Sequence, residues 1–153
     1  MFNLKLKIPP GLLVIIFIII MTYQPFVLLK FNLNWQYMPV LIYAVFGLAV
    51  LIIVAAVVSF RTAKTTVDPT HPDKASHLVN SGVFNYSRNP MYLGFSFILL
   101  AYALKLQNLA ALLLVIGFVI YLHYLQIKPE EKMLKKLFGE DYLNYCQRVR
   151  RWL

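Results

Sequence analysis

Acidic side chains are scarce in this chain, and the scarcity is one-sided. Only six of the 153 residues are Asp or Glu, against fifteen Lys and Arg, for a net charge of +9. No acid precedes Asp68, and all six fall in two stretches, Asp68 to Asp73 and Glu130 to Asp141. Cysteine is nearly missing: Cys146 stands alone, which excludes an intrachain disulfide. No Gly-rich phosphate loop and no Ser/His/Asp spacing occurs, and neither His71 nor His77 has a partner at metal-ligand spacing, so no metal site is expected. Small residues are also missing where a leader would be cut. Lys5 and Lys7 resemble a basic leader, but Met21-Thr22-Tyr23-Gln24 offers no cleavage site, and the first apolar run is expected to stay as an anchor.

What the chain has in quantity is apolar length. Hydrophobic residues make up 60%, and uncharged runs cover 8–29, 31–60, 89–104 and 106–127. A helix needs roughly 20 apolar residues to span the hydrocarbon core. These runs predict an all-α integral membrane protein, one domain over 1–153, with four spans near 11–29, 37–60, 90–104 and 107–127. The third is short for a full crossing and suits a tilted helix. Leu104-Lys105-Leu106-Gln107-Asn108 suits a tight hairpin between the last two spans. Lys30 and Lys105 are the only bases in the loops after spans 1 and 3; the other thirteen lie at the N-terminus, between spans 2 and 3, or after span 4. The positive-inside rule then places both termini and the 61–89 loop in the cytoplasm. The same rule and attraction to anionic lipid explain the positive charge without nucleic acid as a partner.

The polar residues gather in two places. The 61–92 stretch contains Pro69, Pro72, Pro90 and an Asn80-Ser81-Gly82 turn, which predict an ordered loop. It leads into Arg88-Asn89-Pro90-Met91-Tyr92, where Asn89 reads as an N-cap with proline at the first helical position. Free amides and a positive dipole end beside Arg88 would suit an anion; the alternative is a capped helix whose Arg88 reaches to headgroups. The second place is Glu130 and Glu131, where the last apolar run gives out. Either they form a solvated face, with Glu131 paired to Lys135, or they are a site. Adjacent helical residues point about 100° apart, so as a site they serve two different groups. Pro129 just before them suits a new helix start.

After Gly139, residues Tyr142, Tyr145, Val149, Trp152 and Leu153 fall on one helical stripe, with Arg148, Arg150 and Arg151 elsewhere. This C-terminal region, 128–153, is expected as an interfacial amphipathic helix, an anchor or a lid. His123 is the only ionisable group deep within a span. A four-helix transporter or accessory subunit would place more such groups inside its spans, which argues for the alternative of a surface site.

Taken in order, Phe60-Arg61-Thr62-Ala63-Lys64-Thr65-Thr66-Val67-Asp68-Pro69, Leu78-Val79-Asn80-Ser81-Gly82-Val83-Phe84, Ser87-Arg88-Asn89-Pro90-Met91-Tyr92-Leu93-Gly94, Pro129-Glu130-Glu131, Phe138-Gly139-Glu140-Asp141-Tyr142 and Arg148-Val149-Arg150-Arg151-Trp152-Leu153 resemble one family. It is the isoprenylcysteine carboxyl methyltransferase family with its phospholipid methyltransferase relatives, in the small bacterial form. The resemblance covers nearly the whole chain. It implies a helical membrane core whose cytosolic loop and C-terminal helix enclose S-adenosylmethionine, opening toward a lipid-like or prenylated acceptor, with membrane lipids as surroundings. By the same resemblance Arg88, Gln126 and Glu130 are the candidate catalytic residues. The cofactor-binding candidates are Leu78, Val79, Gly82, Phe84, Arg88, Asn89, Pro90, Tyr92, Glu130, Glu131 and Tyr142. Glu130 is the expected acceptor for the cofactor ammonium, with Glu131 turned toward a loop or the ribose and Tyr86 a further adenine wall. The chain departs from the eukaryotic pattern at Asn89, where histidine stands there; at Gln126, where an arginine handles the substrate carboxyl; and at Ser76 and His77, the histidine falling one place later. The implied activity is methyl transfer to a carboxyl, with amine N-methylation of a phospholipid as the alternative.

Overall fold

The computed structural model describes residues 8–23, 30–31, 35–63 and 77–153. Five helices form: α1 (Pro10–Tyr23), α2 (Met38–Thr62), α3 (Pro90–Leu106), α4 (Leu109–Tyr121) and α5 (Lys128–Arg148), with a short 3-10 turn at Gly82–Asn85. Among the described residues no β-strand forms beyond one isolated bridge, Lys30 to Asn108. There the Phe31 amide donates to the Gln107 carbonyl at 2.9 Å and holds residues 30–31 against the α3–α4 turn. Residues 24–29 of the expected first span, and 64–76 of the expected loop with His71 and Ser76, lie outside the described residues.

Among the described residues two helices are long and apolar enough to cross a bilayer, α2 and the helix that begins at Leu109. At 14 and 17 residues, α1 and α3 reach only about 21 and 25 Å at 1.5 Å per residue, against a core of about 30 Å. Their outer faces are aliphatic and exposed: Leu12, Ile15 and Ile19 on α1, Val40, Leu51 and Val58 on α2, Leu113, Ile116 and Ile120 on α4. In water such a belt would be a liability; hydrocarbon solvates it.

The most extensive contact between helices is the α2–α3 seam. Ala49 and Ala56 are fully buried there, and a Cβ added to Gly94 would lie 2.5 Å from Ile53 Cγ1 and 3.0 Å from the Ala49 carbonyl. Lipid tails solvate apolar side chains as well as a helix does, so close backbone approach through small residues is what holds such a pair. The predicted hairpin forms between α3 and α4. Gln107 takes the left-handed conformation at φ 47°, and Asn108 caps α4, its Oδ1 accepting from the Ala110 amide at 2.8 Å.

The helix break expected at Pro129 does not occur. The chain runs from α4 into α5 through a widened π-turn at Leu122–Ile127, in which the Lys128 amide donates to the His123 carbonyl five residues back. Proline lacks an N–H and its ring clashes with the carbonyl four residues earlier, so a wider turn just before it keeps the helix going. The real break is at Gly139, whose φ of 51° and ψ of −122° kink α5. Two apolar clusters result. One joins α1, α3 and α4 around Leu13, Met21, Leu99, Phe118 and Leu122. The other joins the end of α2 to Val79, Phe84, Tyr142, Tyr145 and Val149.

Candidate functional site

Between these clusters lies a cavity of about 260 Å³. Its walls come from the start of α1 (Pro9, Pro10, Gly11), the end of α2 (Phe60), the loop (His77, Leu78, Val79, Phe84), the first turns of α3 (Arg88 to Tyr92, Phe95) and α5 (Glu130, Glu131, Leu134, Tyr142, Tyr145). Residues far apart in sequence therefore share one apolar chamber with a few convergent polar groups, the usual form of a small-molecule site.

The two carboxylates divide, as their helical spacing predicts. Glu130 accepts a hydrogen bond from the Tyr92 hydroxyl at 2.9 Å, its one such partner among the described residues. Burial raises its carboxyl from the ordinary 4.5 to about 7; the Tyr92 hydrogen bond opposes that shift and the neighbouring Glu131 charge adds to it. Glu131 instead sits between two guanidiniums. Arg151 forks onto it, Nε to Oε1 at 3.0 Å and Nη2 to Oε2 at 2.6 Å, while Arg88 Nη2 lies 3.2 Å from Oε1. Lys135, the partner a solvated face would require, is not what holds it.

Arg88 also donates from Nη1 to the Cys146 sulfur, and its buried Nε–H has no partner among the described residues. Asn89 does not cap α3 with its side chain: its Nδ2 donates to the Arg151 carbonyl at 2.9 Å. The Arg88 amide donates to the Arg150 carbonyl at 3.0 Å, so the C-terminal strap lies along the start of α3. Tyr145 donates to the Phe84 carbonyl at 2.7 Å, joining α5 to the loop. Burial pushes the Tyr142 and Tyr145 phenols well above their ordinary value, so both walls stay neutral at physiological pH. Among the described residues no group of three His, Cys, Asp or Glu side chains is placed to hold a metal ion.

Most of the sequence-predicted site converges here: Leu78, Val79, Phe84, Arg88, Asn89, Pro90, Tyr92, Glu130, Glu131 and Tyr142 all line the cavity. Three expected residues do not. Gln126 is fully buried, and its Nε2 donates to the Ile8 carbonyl at 2.8 Å, because the π-turn aims it at the start of α1. Gly82 stacks on α2, where a Cβ would meet Ser59 Oγ at 2.8 Å, and its φ of +62° suits glycine in the turn. Tyr86 is 76% exposed and outside the walls. No site role was expected for Pro9, Pro10, Gly11, Phe60, Phe95, Tyr145 or the Arg151 fork, although Phe60 and Arg151 lie in family-like blocks and Tyr145 on the Tyr142–Tyr145–Val149 stripe, which faces the protein rather than the leaflet.

A profile of the phospholipid methyltransferase family matches residues 38–141, which hold both carboxylates, Arg88 and Tyr92. The chain belongs to that family. Its members transfer a methyl group from a donor. Two relatives add to this. An uncharacterized protein of Haemophilus influenzae is 48% identical over 63 residues, 41% of this chain and all of that protein. The protein-S-isoprenylcysteine O-methyltransferase of Saccharomyces cerevisiae is 37% identical over 73 residues, 47% of this chain but only 30% of the yeast protein. No solved structure matches the chain at a significant level.

Proposed function

We propose that this chain uses S-adenosylmethionine to methylate a lipid-like or prenylated acceptor at the membrane surface, with O-methylation of a carboxyl as the reaction. The observation that carries the reading is the pairing of Glu130, a cavity carboxylate held by Tyr92 alone, with Arg88, which keeps a buried N–H unused. Those two groups fit the ammonium and carboxylate of the cofactor's amino-acid end, each as a charge-assisted hydrogen bond. Leu78, Val79, Phe84, Asn89, Pro90, Tyr92 and Tyr142 supply apolar and aromatic walls against which an adenine can stack. When bound, the cofactor supplies an electrophilic methyl on a sulfonium.

The protein's own part is positioning and exclusion of water. In-line displacement needs alignment more than acid–base help. Attack by an anionic oxygen on a cation cancels charge, so a water-poor chamber favours that step without a strong base. The wall of Pro9, Pro10 and Gly11 is apolar and suits the acceptor side. Four crossings, with both termini on the cytoplasmic face of a bacterial inner membrane, fit the charge distribution. A second reading, N-methylation of a phospholipid amine, is favoured by the family matched and by Glu130 itself. An amine must lose a proton, and a carboxyl held near 7 is poised to take one.

Calorimetric titration of the detergent-purified protein with S-adenosylhomocysteine tests the cofactor; absence of heat at any pH between 6 and 8 sinks the reading. Incubation with lipid extract and radiolabelled methyl donor then separates acceptors. Label released as methanol by base identifies an ester; base-stable label identifies a methylated amine and favours the second reading.

A further inference from the structure

Arg151 lies outside the residues that the family profile matches, on the strap that follows α5. Two backbone contacts fix the strap: the Arg88 amide donates to the Arg150 carbonyl and Asn89 donates to the Arg151 carbonyl. Trp152 packs against the α1–α3–α4 cluster just beyond. The strap thus delivers one guanidinium to Glu131 with both oxygens engaged, the stronger fork geometry. Arg88 makes only a single, longer contact to the same carboxylate, 3.2 Å, and keeps its Nε–H unpartnered. One negative charge is therefore shared between two positive ones, and the remainder sits on the cavity wall at Arg88.

We infer that Arg151 is a positioning residue, which occupies Glu131 so that the Arg88 guanidinium is left to seat the carboxylate end of the bound amino-acid group. This rests on the cofactor reading given above. Without Arg151, Glu131 would take Arg88 as its own bidentate partner. The seat would be neutralised although neither Arg88 nor Glu130 had changed. Glu131 on this account is not a ligand-binding group; it is the counter-charge that Arg151 must satisfy.

Titration with S-adenosylhomocysteine across four proteins tests this. Each variant's thermal unfolding in detergent is followed to verify that it is folded. Arg151→Ala is expected to weaken binding about tenfold or more, because Glu131 then draws the Arg88 guanidinium away from the ligand. Glu131→Gln is expected to lose less affinity than Arg151→Ala, since it frees Arg88 by another route. The double variant Arg151→Ala/Glu131→Gln is expected to recover most of the single variant's loss, which a merely structural role for the strap would not produce. Wild-type affinity in Arg151→Ala overturns the inference. So does a double variant as weak as the single, or a Glu131→Gln protein that binds as poorly as Arg151→Ala, the results expected if Glu131 itself touches the ligand. Should Arg151→Ala fail to fold, Arg151→Gln, which keeps the side-chain stem and removes the charge, takes its place alone and in the double variant, with the same expected and overturning results. A wild-type protein that binds nothing overturns the cofactor reading, and this inference with it.

Discussion

The α2–α3 seam and the rim at Arg88, Glu131 and Arg151 hold the same protein together by opposite means. At the seam the deciding quantity is size: Gly94 faces Ala49 and Ile53 so closely that no side chain fits between. At the rim the deciding quantity is charge balance, one carboxylate between two guanidiniums from residues 20 and 43 positions away in the chain. The seam tolerates no added volume at Gly94. The rim is open to a cavity, and every change of charge there redistributes the partners of the others. A membrane protein of this size can therefore place its specificity in a small polar rim, because apolar close packing elsewhere already fixes the frame.

Three experiments press on that contrast. The largest effect is expected from the cavity: Glu130→Ala should weaken S-adenosylhomocysteine binding by about a hundredfold, or 2.7 kcal/mol, with little loss of thermal stability. Lys135→Ala, an exposed neighbour, should leave binding unchanged; equal losses in the two would remove the special place given to Glu130. Next is the seam, where Gly94→Val should cost about 2 kcal/mol of stability by overpacking against Ile53, read as a lower melting temperature in detergent. An unchanged melting temperature would mean that the two helices separate freely. The smallest effect is a pH dependence. The folded Glu130 carboxyl lies at about 7, above its ordinary 4.5, so below about 7 it is protonated and carries no charge for an ammonium. Affinity should thus rise about tenfold from pH 6 to pH 8, and Glu130→Gln should flatten that slope. In the ligand-free protein the sign runs the other way: the raised carboxyl favours folding below 4.5, and that contribution fades as pH climbs toward about 7.

Much of this was legible in the residues. Uncharged runs located α2, α3 and α4, and Gln107-Asn108 marked the hairpin, because helix length and cap chemistry are local properties. The separation of Glu130 from Glu131 followed from helical geometry alone. Resemblance to a family brought together most of the cavity's residues. The π-turn was not legible: Pro129 reads as a break, and only packing of the turn before it shows that the helix continues. Gln126 was misplaced for the same reason, since the wide turn carries it from the cavity to the Ile8 carbonyl.

The sequence by itself determined that this is a helical membrane chain with its acids confined to two polar stretches and two of them side by side at a helix exit, since hydrophobicity and charge act residue by residue. Only the tertiary structure decided what each of the two carboxylates faces. Tyr92 reaches Glu130 across 38 residues, and Arg151 reaches Glu131 across 20. Such partners are chosen by how helices kink and where a strap returns, at the π-turn and at Gly139, and by the cost of leaving a buried charge unmatched.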